Sequence, residues 1–120
     1  MGLTYVTTSI RGLTGSGVPF EDQFLVDTGA IDCMAPASKL RKAGIAVEGK
    51  DSYEMANSAL VEYPYGYAKV SFMGSETVTR IIFGEENCEP LLGVVALEST
   101  GIGVDPVKKT LLRMSAKPLK

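Results

Sequence analysis

The sequence contains no histidine, and this absence excludes several kinds of hydrolytic site at once. Without an imidazole there is no Ser-His-Asp or Cys-His catalytic group, no histidine proton shuttle and no zinc hydrolase site of the usual kind. Cysteine is scarce as well. Cys33 and Cys88 lie far apart, in no spacing typical of metal ligands, so we interpret them as reduced, small apolar residues. Hydrolytic chemistry in this chain must therefore use carboxylates, lysine, tyrosine or a bound ion.

Long hydrophobic runs and concentrated positive charge are also missing. No apolar segment approaches the ~20 residues that a transmembrane helix needs, so we expect no membrane partner. The net charge is −2, from 12 basic and 14 acidic residues, and basic residues cluster only at positions 39–42 and 108–109. Nucleic acid is therefore not an expected partner. The N-terminus lacks the basic and apolar regions of a signal peptide, so the expected location is the cytoplasm.

What the sequence does contain is an ordinary globular composition with many strand signals. Hydrophobic residues make up 45% and charged residues 22% of the 120 positions, enough for a single domain over residues 1–120 without disulfides. β-Branched and aromatic residues predict a strand over Thr4–Ile10, and alternation with a period of two predicts another from Val18 to Val26. Further strands are expected at Ser52–Ala56, Val61–Met73, Thr77–Phe83 and Thr110–Met114.

Glycine and proline mark the ends of these segments. The glycines between positions 12 and 17 predict a hairpin turn and not a phosphate loop, because the segment lacks a Gly-Lys-Ser/Thr ending and opens no helix. Short helices are predicted at Pro36–Ala43, ended by Gly44, and at about Val94–Ser99, ended by Gly101. Other turns are expected near Asn57-Ser58, Gly74-Ser75 and Asp105-Pro106.

The segment Phe24–Ala30 carries the most chemistry. A hydrophobic strand end delivers an acid, a hydroxyl and a glycine in succession, at Asp27, Thr28 and Gly29. A carboxylate there is costly to bury unless its ionised form is hydrogen-bonded or its neutral form is favoured. Gly29 permits either a close backbone approach or an unusual dihedral angle. Taken alone, the tripeptide also fits a plain turn that begins at Asp and ends at Gly.

This segment resembles the active-site motif of the retropepsin-like branch of the aspartic protease superfamily: two hydrophobic residues, Asp-Thr-Gly, then Ala. That branch has a second motif, two hydrophobic residues and a glycine before a helix, and Leu91-Leu92-Gly93 stands in its place. The resemblance covers Val18 to Leu112, and the ending Leu91–Pro106 is similar to a small prokaryotic single-domain group. It implies an all-β fold, a closed or partly open acid-protease barrel of one retropepsin-like lobe with one or two short helices.

The resemblance also implies a homodimeric aspartic endopeptidase that acts on an extended peptide or protein. The chain holds one Asp-Thr-Gly, so the second catalytic carboxylate would be the Asp27 of another copy. One carboxylate would activate a water and the other, protonated, would stabilise the developing oxyanion. Thr28 would reach across the two-fold axis to the partner's backbone. No metal, cofactor or covalent intermediate is implied.

The other implied site residues lie beside the motif and in a flap-like segment, Met55–Val61. Substrate contacts are expected from Ala30, Asp32, Asn57, Ser58 and Ala59, with Leu91, Leu92 and Gly93 as structural support. From the residues alone, Asp32 is better interpreted as a solvent-facing loop residue. The flap-like segment lacks a glycine-rich tip, and Asn57, which tolerates left-handed dihedrals, is expected to substitute for it.

Two charged positions of the retroviral enzymes are apolar in this chain. Those enzymes pair an aspartate after the first motif with an arginine after the second, where this chain has Ile31 and Val94. Because both positions are apolar together, we expect the two side chains to touch. Tyr63, Tyr65 and Tyr67 lie on one face of a predicted strand, where they either line a groove or dimer surface or pack across strands.

Three functions remain compatible with the sequence. The first is the aspartic endopeptidase, and the second is a catalytically silent dimeric peptide-binding module on the same fold, which holds extended peptides by strand addition. The third is a small β-barrel of unrelated function that carries Asp-Thr-Gly in a turn. Peptide cleavage separates the first from the second. A dimer with its two Asp27 carboxylates within hydrogen-bonding distance separates both from the third.

Overall fold

A computed structural model describes residues 3–117 and 119, and the fold is mostly β, as predicted, with 49% of these residues in strands and 11% in helices. In chain order the strands are β1 (Tyr5–Arg11), β2 (Phe20–Val26), β3 (Cys33–Pro36), β4 (Gly49–Glu54), β5 (Leu60–Phe72), β6 (Ser75–Gly84), β7 (Leu91–Leu92), β8 (Ile102–Asp105) and β9 (Thr110–Arg113). The helices are α1 (Ala37–Lys42) and α2 (Val94–Thr100). Neither helix of the described chain has the length and apolar character required to cross a bilayer.

Seven strands form one sheet in the order β1-β2-β7-β3-β6-β5-β4, and β8 and β9 form a separate pair. A further pairing joins β1 to β5, from Ser9 with Ser71 to Arg11 with Lys69, and closes six of the strands into a ring of hydrogen-bonded neighbours. Within the described residues, β4 pairs only with β5. The β4–β5 hairpin is therefore attached to the sheet along one side.

The hydrophobic core is built mainly from alternate residues of the strands in this ring. Ile10 of β1, Phe24 of β2 and Val70 of β5 are fully buried, whereas their neighbours along each strand are more exposed. This alternation is the period of two expected when one face of a strand is buried. Leu40 of α1 and Leu97 of α2 join the same cluster. Each such side chain contributes about 1.5–3 kcal/mol by leaving water.

Both predicted helices are confirmed, and glycine and proline set their ends. α1 follows Pro36, whose φ is −59°, and the chain turns away at Gly44, where φ is +81°. α2 begins after Gly93 and ends at Gly101, where φ is +70°. Glycine adopts this left-handed conformation at little cost, which is why it commonly ends a helix. The glycine-rich segment 12–17 joins β1 to the antiparallel β2, as the hairpin prediction requires.

Two short strands, β3 and β8, carry no local signal that predicts them as strands, whereas β7 is the strand end formed by the hydrophobic pair Leu91-Leu92. β3 is parallel to β6, from Cys33 with Ile81, and β7 is parallel to β2, from Leu25 with Leu91. Such strands form because distant partners supply their hydrogen bonds. The β5–β6 turn also differs slightly from the prediction, because its central residues are Met73 and Gly74, both with positive φ. Two successive left-handed residues are typical of a two-residue hairpin turn.

Candidate active site

Asp27 lies directly after β2, where the strand leaves the core. Val26 pairs with Leu92 of the parallel strand β7, and the Asp27 amide donates to the Leu92 carbonyl oxygen at 3.0 Å. The Ala30 amide donates to the Asp27 carbonyl oxygen at 3.1 Å and closes a tight turn. Hydrogen bonds thus fix the backbone on both sides of the Asp27 side chain. We call residues 27–32 the motif loop.

The Asp27 carboxylate is half-buried and is oriented by the backbone of its own loop. Its Oδ1 accepts a hydrogen bond from the Gly29 amide at 3.0 Å. A Cβ atom at position 29 would lie 3.3 Å from that oxygen, which is tighter than an ordinary contact. Gly29 is not among the residues with a left-handed φ. Gly29 was expected to permit either a close backbone approach or an unusual dihedral angle. The structure has the close approach, between the Gly29 backbone and the Asp27 carboxylate.

The motif loop rests on the segment 91–93. A Cβ atom at Gly93 would lie 2.5 Å from the Asp32 carbonyl oxygen and 2.6 Å from the Ile31 carbonyl oxygen, so a larger residue would push the two segments apart. The first residue of α2, Val94, donates its amide to the Ala30 carbonyl oxygen at 2.8 Å. The structure thus places the residues expected to give structural support directly against the loop that carries Asp27.

The same backbone contacts bear on the apolar pair Ile31 and Val94. Their chain segments are neighbours, because the Val95 amide donates to the Ile31 carbonyl oxygen at 3.2 Å. The Ile31 side chain is 66% exposed, whereas Val94 is half-buried. Contact between the two side chains stays a prediction. Ile31 gives the outer side of the motif loop an apolar surface.

A cleft of about 850 Å³ opens beside the motif loop. One wall consists of Asp27 and residues 29–32, and the opposite wall consists of residues 51–56 from β4 and the turn after it. Asp27, Gly29, Ala30 and Asp32 therefore share one cavity. Thr28 is exposed and lies outside the lining of the cleft.

The tip of the β4–β5 hairpin is a turn of five residues, 55–59. The Met55 amide donates to the Ala59 carbonyl oxygen at 2.8 Å, and Asn57 Oδ1 accepts from the Ala59 amide at 3.0 Å. The residue with a left-handed backbone is Ser58, with φ +70°, so the expectation for Asn57 is wrong. Asn57 instead uses its side chain to bond the amide two residues later, a common turn contact of asparagine.

Only part of the hairpin tip lines the cleft. Asn57, Ser58 and Ala59, which were expected to contact substrate, are exposed and lie outside the cleft lining. Met55 and Ala56, which the sequence did not single out as site residues, line it instead. The position of a hairpin turn relative to a cavity depends on the strand register, which the motif resemblance does not specify.

Arg80 is a cleft residue that no sequence pattern predicted, and it is the sole cation of the cleft lining. Its Nη1 donates to Asp51 Oδ2 at 3.1 Å and its Nη2 to the Tyr67 hydroxyl at 3.3 Å. The guanidinium carbon lies 3.7 Å from the centre of the Tyr65 ring, a cation–π distance. The hydrogen bond with Tyr67, followed by one with Tyr53, raises the pKa of Arg80. Arg80 thus remains charged and fastens β4 and β5 to β6.

The tyrosines of β5 divide between the two roles considered for them. Tyr65 and Tyr67 pack edge-on with their ring centres 6.0 Å apart, beside Arg80. Tyr63 lines the cleft, and its ring centre lies 6.3 Å from that of Tyr53 on β4. Packing across strands and groove lining therefore both occur along one strand.

Asp32 and Tyr53 join the two walls of the cleft. The Tyr53 hydroxyl donates to Asp32 Oδ2 at 3.0 Å. Asp32 is half-buried, so its interpretation as a solvent-facing loop residue is wrong. Burial raises the pKa of Tyr53 to about 12, a hydrogen bond with Arg80 opposes the rise, and the bond to Asp32 adds to it. The hydroxyl therefore remains a hydrogen-bond donor at neutral pH.

Both cysteines are free thiols, as predicted. Cys33 lies in the core on β3, where burial raises its pKa to about 11. Cys88 is half-buried, and burial raises its pKa as well. Within residues 3–117 and 119, no three cysteine, aspartate or glutamate side chains are placed to hold a metal ion. The chemistry available in the cleft is that of a positioned carboxylate.

A scan of the sequence against models of known protein families finds no match, and a search of curated proteins finds none either. The case for a function therefore depends on the motif and on the geometry around Asp27.

Proposed function

We propose that this protein is an aspartic endopeptidase of the retropepsin type, active as a homodimer in which two Asp27 carboxylates share the catalytic proton. The observation that carries the proposal is the setting of Asp27. Its carboxylate is oriented by the Gly29 amide, its backbone is anchored to Leu92, and it forms part of the wall of an 850 Å³ cleft. A simple surface turn requires neither the cleft nor the close packing of Gly93 against the motif loop.

The strand arrangement supports the same proposal. The pairing of β1 with β5 closes six strands into a ring, which fits a small barrel of the acid-protease type. The parallel pairing of Leu25 with Leu91 sets the two hydrophobic motifs side by side, so the second motif supports the first. The β4–β5 hairpin lies across the cleft from Asp27, in the position that a flap requires.

The proposal needs a second copy, because each chain supplies one Asp-Thr-Gly. Thr28 and Gly29 are exposed, and Ile31 is 66% exposed, so the motif loop offers a surface on which a second loop can pack. A two-fold axis between the loops would bring the same residues of both copies together. The proposed dimer acts in the cytoplasm on extended peptides or proteins, and neither nucleic acid nor a membrane takes part.

The chemistry follows from two carboxylates held close to one another. Two negative charges at short range repel, so one carboxylate keeps a proton while the other is ionised. The ionised Asp27 takes a proton from a water whose oxygen attacks the peptide carbonyl carbon. The protonated Asp27 donates a hydrogen bond to the carbonyl oxygen as negative charge develops on it. The intermediate then collapses as its C–N bond breaks, and the departing amine takes the proton that the ionised Asp27 removed from the water.

The substitution Asp27→Asn tests this assignment, because it removes the acid–base group with little change of shape. We expect peptide hydrolysis to fall by ~10²–10⁴-fold, while thermal unfolding and sedimentation stay as in the wild type. Asp22→Asn is the matched control, since Asp22 is an exposed aspartate of β2, the strand before Asp27, and lies outside the cleft. Wild-type turnover in Asp27→Asn would place catalysis elsewhere. A wild type that binds peptides without cleaving them would support the silent peptide-binding module instead.

Dilution tests the requirement for two chains. An isolated monomer holds half of the proposed site, so the specific activity should fall as the concentration drops through the dimer dissociation constant. Hydrolysis and sedimentation are measured at the same concentrations. Constant specific activity where sedimentation detects monomer alone would contradict the shared site.

A further inference from the structure

We infer that Tyr53 is a positioning residue: its hydrogen bond to Asp32 holds the β4–β5 hairpin against the motif loop and sets the width of the cleft over Asp27. The kinetic consequence of this inference rests on the proposed function, whereas the structural consequence does not. The bond is recorded between Tyr53 Oη and Asp32 Oδ2 at 3.0 Å, and it connects residues 21 positions apart in the chain.

The hairpin needs such a contact because its own attachment is weak. β4 is paired with β5 alone within the described chain, at the edge of the sheet. Every residue of the segment 55–60 is exposed, and Leu60 is 73% exposed. Segments with few buried apolar contacts open most readily. The backbone of the hairpin therefore does not by itself fix its distance from the motif loop.

Two side chains of β4 reach across the cleft, and they make different connections. Asp51 and Tyr53 are two positions apart on a strand, so they lie on the same face, and both line the cleft. Asp51 pairs with Arg80 and joins the base of the hairpin to β6. Tyr53 lies closer to the tip and bonds Asp32, in the loop that carries Asp27. Among the side-chain hydrogen bonds of the described residues, the second is the one that joins the hairpin directly to the motif loop.

The tyrosine hydroxyl, and not the ring, makes this connection. The Tyr53 ring packs against Tyr63, and a phenylalanine would keep that packing. The hydroxyl adds a directional bond to a carboxylate, and hydrogen bonds to charged acceptors are stronger than neutral ones. Asp32 belongs to neither of the ion pairs recorded within residues 3–117 and 119. Loss of the hydroxyl thus leaves a half-buried carboxylate that only water can satisfy, and this favours an open hairpin.

Amide hydrogen exchange read by mass spectrometry tests the contact without requiring catalysis. Tyr53→Phe and Asp32→Ala both remove the bond, whereas Asp32→Asn keeps an oxygen that accepts from the Tyr53 hydroxyl. The matched control is Tyr5→Phe, because the Tyr5 hydroxyl donates to Glu89 at 2.9 Å, outside the cleft. We expect exchange in residues 51–60 to accelerate about tenfold in the two variants that lose the bond, and to stay near the wild-type rate in the other two.

The kinetic arm uses the same variants in the proposed peptidase. We expect Tyr53→Phe and Asp32→Ala to lower kcat/KM about tenfold, mainly through a higher KM, because the cover over bound peptide is looser. Tyr5→Phe, which alters a contact outside the cleft, should retain the wild-type value. Accelerated exchange with unchanged KM and kcat would confine Tyr53 to a structural role and overturn the inference.

The exchange results separate the inference from the proposed function. Unchanged exchange in Tyr53→Phe overturns the inference, whatever the activity. Equal acceleration in Tyr5→Phe, or in Asp32→Asn, overturns it too, since the effect would then be general or would not depend on the hydrogen bond. Accelerated exchange confined to Tyr53→Phe and Asp32→Ala, in a protein that cleaves no peptide, leaves the contact standing and overturns the peptidase instead.

Discussion

The two walls of the cleft are held in place by different kinds of contact. The motif loop is fixed through its backbone, by bonds from Asp27 to Leu92 and from Val94 to Ala30. The opposite wall is formed by the β4–β5 hairpin, whose two strands pair with each other. Side-chain hydrogen bonds of Asp51 and Tyr53 join this hairpin to the rest of the cleft. The motif loop therefore cannot shift without breaking backbone hydrogen bonds of the sheet, whereas the hairpin can.

This difference suits a site in which one wall reacts and the other covers. A reacting group must be held within a fraction of an ångström, and sheet backbone provides that precision. A cover must open to admit a peptide, so it is drawn from the less stable parts of a fold.

The largest effect on stability is expected at the rigid wall, from Gly93→Ala. The added Cβ would lie 2.5 Å from the Asp32 carbonyl oxygen and 2.6 Å from that of Ile31, so backbone must move to admit it. We expect the free energy of unfolding to fall by about 3 kcal/mol, the upper range for overpacking. Urea unfolding followed by circular dichroism measures this loss.

Gly103→Ala is the control for that substitution. Gly103 lies in β8, and a Cβ atom there meets nothing within 4 Å. The same change of residue should therefore alter the free energy of unfolding by less than about 1 kcal/mol, in the stabilising direction, because alanine restricts the unfolded chain. Equal losses of unfolding free energy in Gly93→Ala and Gly103→Ala would contradict the close packing of Gly93 against the motif loop.

An intermediate effect is expected at the hairpin wall, in alkaline solution. The pKa of Tyr53 is raised from 10.0 to about 12, so the folded state favours the neutral phenol. Its contribution to stability is complete below pH 10 and is lost as the pH rises through about 12. Wild type should therefore lose unfolding free energy more steeply over this interval than Tyr53→Phe does. The raised pKa of Cys33 acts in both proteins and cancels. Parallel curves from urea unfolding would contradict the prediction.

The smallest effect is expected at the hairpin tip, from Ser58→Gly. Ser58 has φ +70°, which costs a residue with a side chain more than it costs glycine. Part of the gain is offset by the greater freedom of glycine in the unfolded chain, so we expect a stabilisation of about 0.5 kcal/mol. Ser52→Gly, in the extended backbone of β4, should instead destabilise by about that amount. If both variants changed the melting temperature in the same direction, the assignment of backbone strain to Ser58 would be refuted.

The parts of the fold that were predictable are those set by local patterns. Glycines and prolines mark α1, α2 and the hairpin turns, and alternation marks the long strands. β3 was missed because residues such as Cys33 become strand residues only through partners more than forty positions away. Their hydrogen bonds come from the closure of the sheet, and so short a segment has no hydrophobic periodicity that would predict a strand.

The site residues that belong to the sequence motif could be predicted, whereas those brought to the site by strand register could not. Asp27, Gly29 and Gly93 could be selected from residue type and order alone. Arg80 could not, because it meets Tyr67 only when the β5–β6 turn is centred on Met73 and Gly74. A turn one residue later would place Ile82 opposite Tyr67, since a shift of one residue in a turn moves the pairing by two. The bond from Tyr53 to Asp32 depends on register in the same way.

The closed ring of strands also affects when the surroundings of Asp27 can be assembled. β1 pairs with β5 across about sixty residues, and the support for Asp27 comes from Leu92, still later in the chain. Contacts this distant form slowly, and synthesis proceeds from the N-terminus. Asp27 is therefore made early but lacks its supporting strand until residues 91–93 have emerged. A nascent chain thus carries Asp27 through the synthesis of more than sixty further residues before the cleft around it can form.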